Sequence, residues 1–564
     1  MKKRKIVLIF SLLISICMLL AACVTDDDQS TDPIPQQNEA SPEAETEETV
    51  DDSSDDIVRE STGPLGRFDP PIEMTTARSV NTELTMPADQ DHANNVWYTA
   101  MYEELGINLT LLWTADGEQF ATRMNLAMAS GEMPDLAMVN KEQFNQLVIT
   151  DSIADLTEVF EEFASEDTKR QMAVGDSIAL RACTVDGRLR AMPNTASPIA
   201  GAFEPLLWLR TDWLDNLGLA EPETLDDMFN IMRAFAHDDP NGTGQDTVGF
   251  GFMGGHVATL PIFHAYHANP GAWIKNSNGE IVYGSVQPEM RNALEQLQAL
   301  YLEGVIDPEF PVADWGLWVE MMVSGTNGFT AGPHWIGELL PDGKINDPNM
   351  EWKPFIVPTV DGRPSRITLR SPVLEYYVVR EDFEHPEALI KMFNFWYDIT
   401  VGENATEENF KKFFNDGTYF FSMFSPITTN DATDTPQRQL IEAVENDCDS
   451  GITSAWTQAT FDRSRLAVAG EYQYFASTFY YPAWRLKFEI MDNGWFIMDE
   501  FFGPPSPTMS ERWASIHSLE IETFTLIIMG QEPIESFDSF VEQWHSLGGE
   551  QITREVNEWY ASVN

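Results

Sequence analysis

Asp239, Asn241 and Thr243 alternate along the polar stretch Asp238-Asp239-Pro240-Asn241-Gly242-Thr243-Gly244-Gln245-Asp246-Thr247. With Asp239 first, Gly244 falls sixth and the Gln245 carbonyl seventh. That is how an EF-hand-like loop begins to turn alternate side-chain oxygens and one carbonyl towards a calcium ion. The continuation departs from the pattern: Asp246 is eighth, Thr247 ninth, and Phe250 stands twelfth, where a bidentate Glu belongs. Asp239, Asn241, Thr243, Gln245 and Asp246 are therefore candidate ligands of a structural Ca2+, with a plain polar turn between helix and strand as the competing reading. No other cofactor is required. His256, His264 and His267 lie among Pro, Ala and Tyr without a cysteine or a His-Glu-x-x-His spacing, so structural roles are expected for them. Nucleophile elbows, phosphate-cradling loops and dinucleotide fingerprints are absent, and no catalytic residue is assigned.

The tryptophans carry the other chemical signal. Sugar rings present apolar C–H faces that pack on flat aromatic rings, while their hydroxyls need Asp, Asn, Glu or Arg in the ring plane. Trp208, Trp273, Trp335, Trp456 and Trp484 stand beside loop-like residues instead of inside helical stripes, and Asn95-Val96-Trp97 precedes the first clear helix. Asn95, Trp97, Trp208, Trp273, Trp335 and Trp484 are the candidate ligand-binding residues. Core packing is the alternative for each, because large aromatics are mostly buried.

Cys23 carries a third kind of chemistry. Lys2, Lys3, Arg4 and Lys5 precede an apolar run from Ile6 to Leu20, too short for a span that needs about 20 apolar residues. The string Leu20-Ala21-Ala22-Cys23 resembles a bacterial lipobox. It implies that residues 1–22 are a signal peptide and that Cys23 is lipidated on its thiol, an acyl anchor of the palmitate kind. From Val24 to about Ser61 the chain is acidic and polar, which predicts a disordered tether over residues 23–66. The expected location is the outer face of the cell membrane.

With 34 basic against 90 acidic residues, the formal net charge is −56, which argues against nucleic acid and anionic headgroups as partners. The same surface does not suit a strongly anionic ligand unless a local basic pocket overrides the mean field. Cys183 and Cys448 are expected as two separate buried thiols, although spacing alone decides no pairing.

These residues need a framework, and the sequence supplies short apolar strands alternating with amphipathic helices. Leu109–Trp113 reads as a strand, Phe120, Met124, Ala127 and Met128 share one helical face, and Leu136–Val139 is a second strand. Val248–Phe252, Phe355–Val357 and Tyr376–Val379 are further strands. Thr224 with Asp227 makes a capping-box start, while Pro288 and Pro386 open two more helices. Ser510–Met529 and Ile534–Leu547 are helical, followed by a short tail. Strand–helix alternation predicts an α/β fold, and about 500 globular residues predict two or more domains.

Several segments resemble the extracellular solute-binding lipoproteins that serve bacterial ABC sugar importers, in particular the large Gram-positive branch. They are Met128-Ala-Ser-Gly-Glu-Met-Pro-Asp135, the stretch Leu207–Gly218, Pro222–Asp227, Gln287–Gly304, Ile306–Phe310, Phe502–Met509 and Gly548–Tyr560. The resemblance implies a two-lobe, type II periplasmic-binding-protein-like fold with hinge crossovers and a helical C-terminal segment. It implies a carbohydrate ligand, ABC permease subunits as partners, and a monomer that is not an enzyme. Residues 67–200 with 341–400 are assigned to lobe 1, residues 201–340 with 401–508 to lobe 2, and residues 509–564 to helices packing on the lobes. A lipid-anchored glycoside hydrolase, using the same aromatics plus two carboxylates, and a surface interaction protein are the alternatives.

Overall fold

Two sheets built from interleaved stretches of chain organise the protein. The computed structural model describes residues 63–80, 86–195, 206–254, 261–370, 373–414, 419–429, 433–471 and 475–563. The signal segment, Cys23 and most of the acidic tether lie outside the described residues. Residues 59–564 form one unit.

The first sheet starts with β1 (Ile72–Ser79), β2 (Ile107–Ala115) and β3 (Leu136–Val139); a small hairpin, β4 (Thr184–Val185) with β5 (Arg188–Leu189), then leads to β6 (Met192–Thr195). The chain crosses to the second sheet through β7 (Leu206–Arg210) and β8 (Val248–Gly251), makes the hairpin β9 (Trp273–Lys275) and β10 (Ile281–Tyr283), and adds β11 (Asn327–Gly332) and β12 (Trp352–Phe355). After β13 (Ile367–Leu369) it returns as β14 (Val373–Val379), and β15 (Phe496–Met498) later pairs with β13.

The first sheet has the order β2-β1-β3-β14-β6 and the second β12-β7-β11-β8. Both are mixed: β1 runs parallel to β2 and β3, with β14 antiparallel between β3 and β6. Likewise β11 runs parallel to β8 and antiparallel to β7. Thr195 pairs with Val373, so both crossings leave the same end of the first sheet, at the carboxyl ends of β1 and β3. Gly332 pairs with Leu206, so the chain enters the second sheet at the carboxyl end of β11.

Alternation along β7 shows how the second lobe is layered. Leu207 and Leu209 enter a core with Met232, Phe235, Leu294 and Phe329, while Leu206 and Trp208 turn to the other face with Trp318, Met322 and Trp352. The first lobe closes around Met74, Ile107, Leu136, Val378 and Phe393. Thr224 caps the helix Leu225–His237 as expected, its hydroxyl accepting from Asp227 N–H at 3.2 Å and Asp227 Oδ2 accepting from Thr224 N–H at 3.0 Å.

The lobes take different segments from those drawn from sequence. Residues 341–400, expected in lobe 1, include β12, which lies in the second sheet beside β7. Residues from 401 were assigned to lobe 2, yet Phe410, Phe413, Phe424 and Ile427 belong to the first core. The C-terminal helices Pro507–Ile528 and Ser536–Trp544 pack into the second core through Phe524, Phe540 and Trp544. The expected short tail is instead a third helix, Glu550–Val563. Gly548, at φ +125°, makes the break before it in a region closed to most side chains. Cys183 is buried, but Cys448 is exposed beside Ser450, and neither forms a disulfide. Among the described residues no helix is long and apolar enough to cross a membrane.

Candidate functional site

The edge where the chain crosses between sheets collects the carboxyl ends of β1 and β3 from one lobe and of β8 and β11 from the other. Ligands of open α/β sheets bind in such crevices, because strand ends release loops there that need not pack.

On the second lobe, β11 runs into the turn His334–Glu338. Trp335 is half-buried there, its ring 5.7 Å from that of Trp315. Trp315 keeps 47% of its surface exposed and rests on Trp318 at 5.2 Å. Trp318 is buried and donates from Nε1 to Thr330 Oγ1 at 2.7 Å, which fixes the base of this aromatic ledge. His334 lies 4.3 Å from the Trp484 ring. Lys487 Nζ sits 3.6 Å from the centre of that indole and 3.8 Å from Asp434, both ions being buried.

On the first lobe, Arg78 near the end of β1 donates to the carbonyl of Phe424 at 2.5 Å and to that of Met423. The His92 ring is 5.6 Å from Phe424. Burial, and then the Arg78 charge, lower the His92 pKa. At the end of β2 the half-buried Trp113 carries the Arg123 guanidinium 4.5 Å above its ring.

A third region joins the lobes. Asp499 Oδ1 accepts from the N–H groups of Trp273 at 3.1 Å and Phe501 at 3.2 Å. Lys141, the first residue of the helix after β3, holds its Nζ 5.4 Å from the Phe501 ring, and Arg181 lies over Phe502. Phe501 belongs to the second core and Phe502 packs against the first. Desolvation lowers the Lys141 pKa and raises that of Asp499.

The sequence-derived candidates separate on burial. Asn95 caps the helix Val96–Leu105, its Oδ1 accepting from Trp97 and Tyr98 N–H. Trp97 has no exposed surface and stacks on Trp396 at 5.2 Å. Trp208, also fully buried, donates to the Gly332 carbonyl at 3.3 Å. Trp273 packs on Tyr283 inside the second core, and Trp456 packs on Phe410. In this conformation Trp97, Trp208 and Trp273 are buried, Trp456 is half-buried and Asn95 is occupied as a helix cap. Trp335 lies on the crossing edge with surface to offer, and Trp484 lines the same region with little exposure. Sequence reading missed Arg78, Trp315 and His334. Trp315 follows the helix-capping Asp314, a start signal that could have set it outside the core stripe.

The polar loop is closed by its own bonds. Asp239 Oδ1 accepts from Gly244 N–H at 2.9 Å, and Asn241 Oδ1 from Thr243 N–H and hydroxyl at 3.1 and 2.7 Å. Thr243 Oγ1 accepts from Gln245 N–H at 3.3 Å. Among the described residues no group of three or more His, Cys, Asp or Glu is placed to hold a metal. The bonds are those of Asx-type turns. His264 is buried on Thr368 and His267 meets Asp361, as structural histidines do, while His256 lies outside the described residues.

No family model matches the chain. Lipoprotein LipO of Bacillus subtilis is 28% identical over 236 residues, 41% of this chain and 45% of that protein. The polygalacturonan/rhamnogalacturonan-binding protein YtcQ of the same organism is 24% identical over 40% of this chain and 44% of its own length. The matched stretches thus span less than half of either curated relative. The solved structure of an HMO-binding, ABC-transporter-associated solute-binding protein from Bifidobacterium longum infantis superposes with a TM-score of 0.61. It covers 87% of this chain and 99% of its own at 16% identity. The chain has the solute-binding-protein fold. Two lobes that exchange segments around a crossing edge are what that fold consists of, with the C-terminal helices added to the second lobe.

Proposed function

We propose that this protein is a lipid-anchored extracellular solute-binding protein that captures an oligosaccharide and delivers it to an ABC permease. The observation that carries the reading is the exposed Trp315–Trp335 ledge at the edge where the two sheets meet. A sugar ring laid on Trp335 would bury its C–H face there, and rotation of one lobe about the crossings would bring the Arg78 side of the first sheet over it. Binding energy of this kind retains a ligand without breaking a bond, so no catalytic pair is invoked. The names of two relatives support the reading: LipO is a lipoprotein and YtcQ binds a polysaccharide. Cys23 would be the anchor, with the acidic tether holding the lobes away from the membrane surface.

Thermal unfolding against a panel of neutral and acidic oligosaccharides tests it, since a ligand bound only by the folded state raises the melting temperature with the logarithm of its concentration. At least one oligosaccharide should stabilise the protein and be recovered intact. Recovery of cleaved sugar would make the protein a hydrolase, and a flat panel would remove the carbohydrate reading.

A further inference from the structure

We propose that the captured sugar carries a carboxylate, as uronic acid oligomers do, and that Arg78 receives it. This rests on the oligosaccharide-binding reading and names the class of sugar. The mean charge of the chain opposes an anionic ligand, but fields from exposed charges fade within about 8 Å at physiological ionic strength. The groups lining the crevice therefore decide.

Arg78 is the penultimate residue of β1, level with Met138 and Tyr377 on the crossing edge, and is half-buried. Two backbone carbonyls, of Met423 and Phe424, hold its guanidinium in place. A guanidinium has five N–H donors in a rigid fork, so donors remain for another partner. In a chain with 90 acidic side chains, a carboxylate would be the expected partner. Arg233, Arg291, Arg380 and Arg438 each hold one, on Glu303, Glu535, Asp135 and Asp492, whereas Arg67, Arg366 and Arg370 hold backbone carbonyls away from β1. Among the described residues Arg78 forms no ion pair; it holds the two carbonyls and faces the buried Tyr98 hydroxyl. A fixed fork at the crossing edge, without an ion pair among the described residues, matches a carboxylate delivered from outside, which accepts two parallel N–H bonds. Met423, exposed at 44%, and Leu374, at 39%, supply apolar surface at the same edge for the sugar ring itself.

Titration calorimetry of the full-length protein with oligogalacturonates, alginate oligomers, maltotriose and kestose tests this, alongside Arg78→Met and Arg78→Lys variants and their melting temperatures. An acidic oligomer should bind about tenfold or more tighter than a neutral one of equal length, since charge-assisted bonds contribute about 1.5–3 kcal/mol. That affinity should fall when ionic strength is raised to about 0.5 M. Arg78→Met should lose about tenfold or more for the acidic sugar, with Arg78→Lys intermediate. If Arg78→Met does not fold, the salt dependence of the native protein and the Lys variant decide. Tighter binding of the neutral sugars, or acidic binding indifferent to salt and to Arg78, overturns the uronate inference while leaving the sugar-binding reading intact. Binding of none overturns both.

Discussion

Trp208 and Trp335 belong to the same lobe and differ in whether any ring surface is left over. Trp208 is sealed between β7 and the Trp318–Trp352 layer, so Trp208→Ala should cost about 3–5 kcal/mol, read as a lower midpoint in denaturant. Trp335→Ala should change stability far less and instead weaken sugar binding by about 1–3 kcal/mol, measured by calorimetry. His264 gives a separate check at this scale. Burial lowers its pKa to about 4 from an ordinary value of 6.5, so the folded protein holds it neutral while the unfolded chain takes up the proton. Stability is complete above pH 6.5 and falls as the pH drops through the interval to about 4. The full loss from this group approaches about 3 kcal/mol, and His264→Gln should flatten that part of the pH–stability curve. Residue type suggested which side chains could stack on a sugar, but not which would have a free face. Burial depends on the partner element: Trp97 is covered by Trp396, nearly three hundred positions away by number, and nothing local announces that.

Elements were more legible than side chains because their signals are local. Thr224 and Asp227 predicted a capping box, and both reciprocal bonds are present. Thr224→Ala should lower stability by about 1 kcal/mol, visible as faster hydrogen exchange in the first turn of the helix Leu225–His237. β2, β3, β8 and β14 fall where apolar runs placed them. Lobe membership was harder to read, since β12 follows β11 in sequence yet pairs with β7, about 140 positions earlier, which places residues after 341 in the second sheet. Consecutive elements usually pair, and this fold departs from that habit at each crossing. The tail was also hidden: Gly548-Gly549 reads as a stop signal, yet the chain resumes as a helix whose Trp559 meets Phe501 and Phe502 edge-on at 4.9 Å each. Those two phenylalanines touch different lobes, so Trp559→Ala should loosen the junction and raise exchange at residues 499–503 without unfolding either sheet.

For the whole molecule, the proposed anchor at Cys23 and the two-lobed fold belong to one reading. Cys23→Ser should release the protein into the medium or leave it unprocessed, checked by fractionation; normal processing with retention at the membrane would contradict the anchor. Interleaved lobes joined at one edge would make closure a rotation about a few segments, a hinge motion. The most direct measurement is the structure of the complex with whichever oligosaccharide stabilises the protein. The expected result is an intact sugar between the two sheets, one ring on Trp335 and polar groups reaching the Arg78 edge. A sugar bound away from the crossing edge, or cleaved within it, would contradict capture between the lobes.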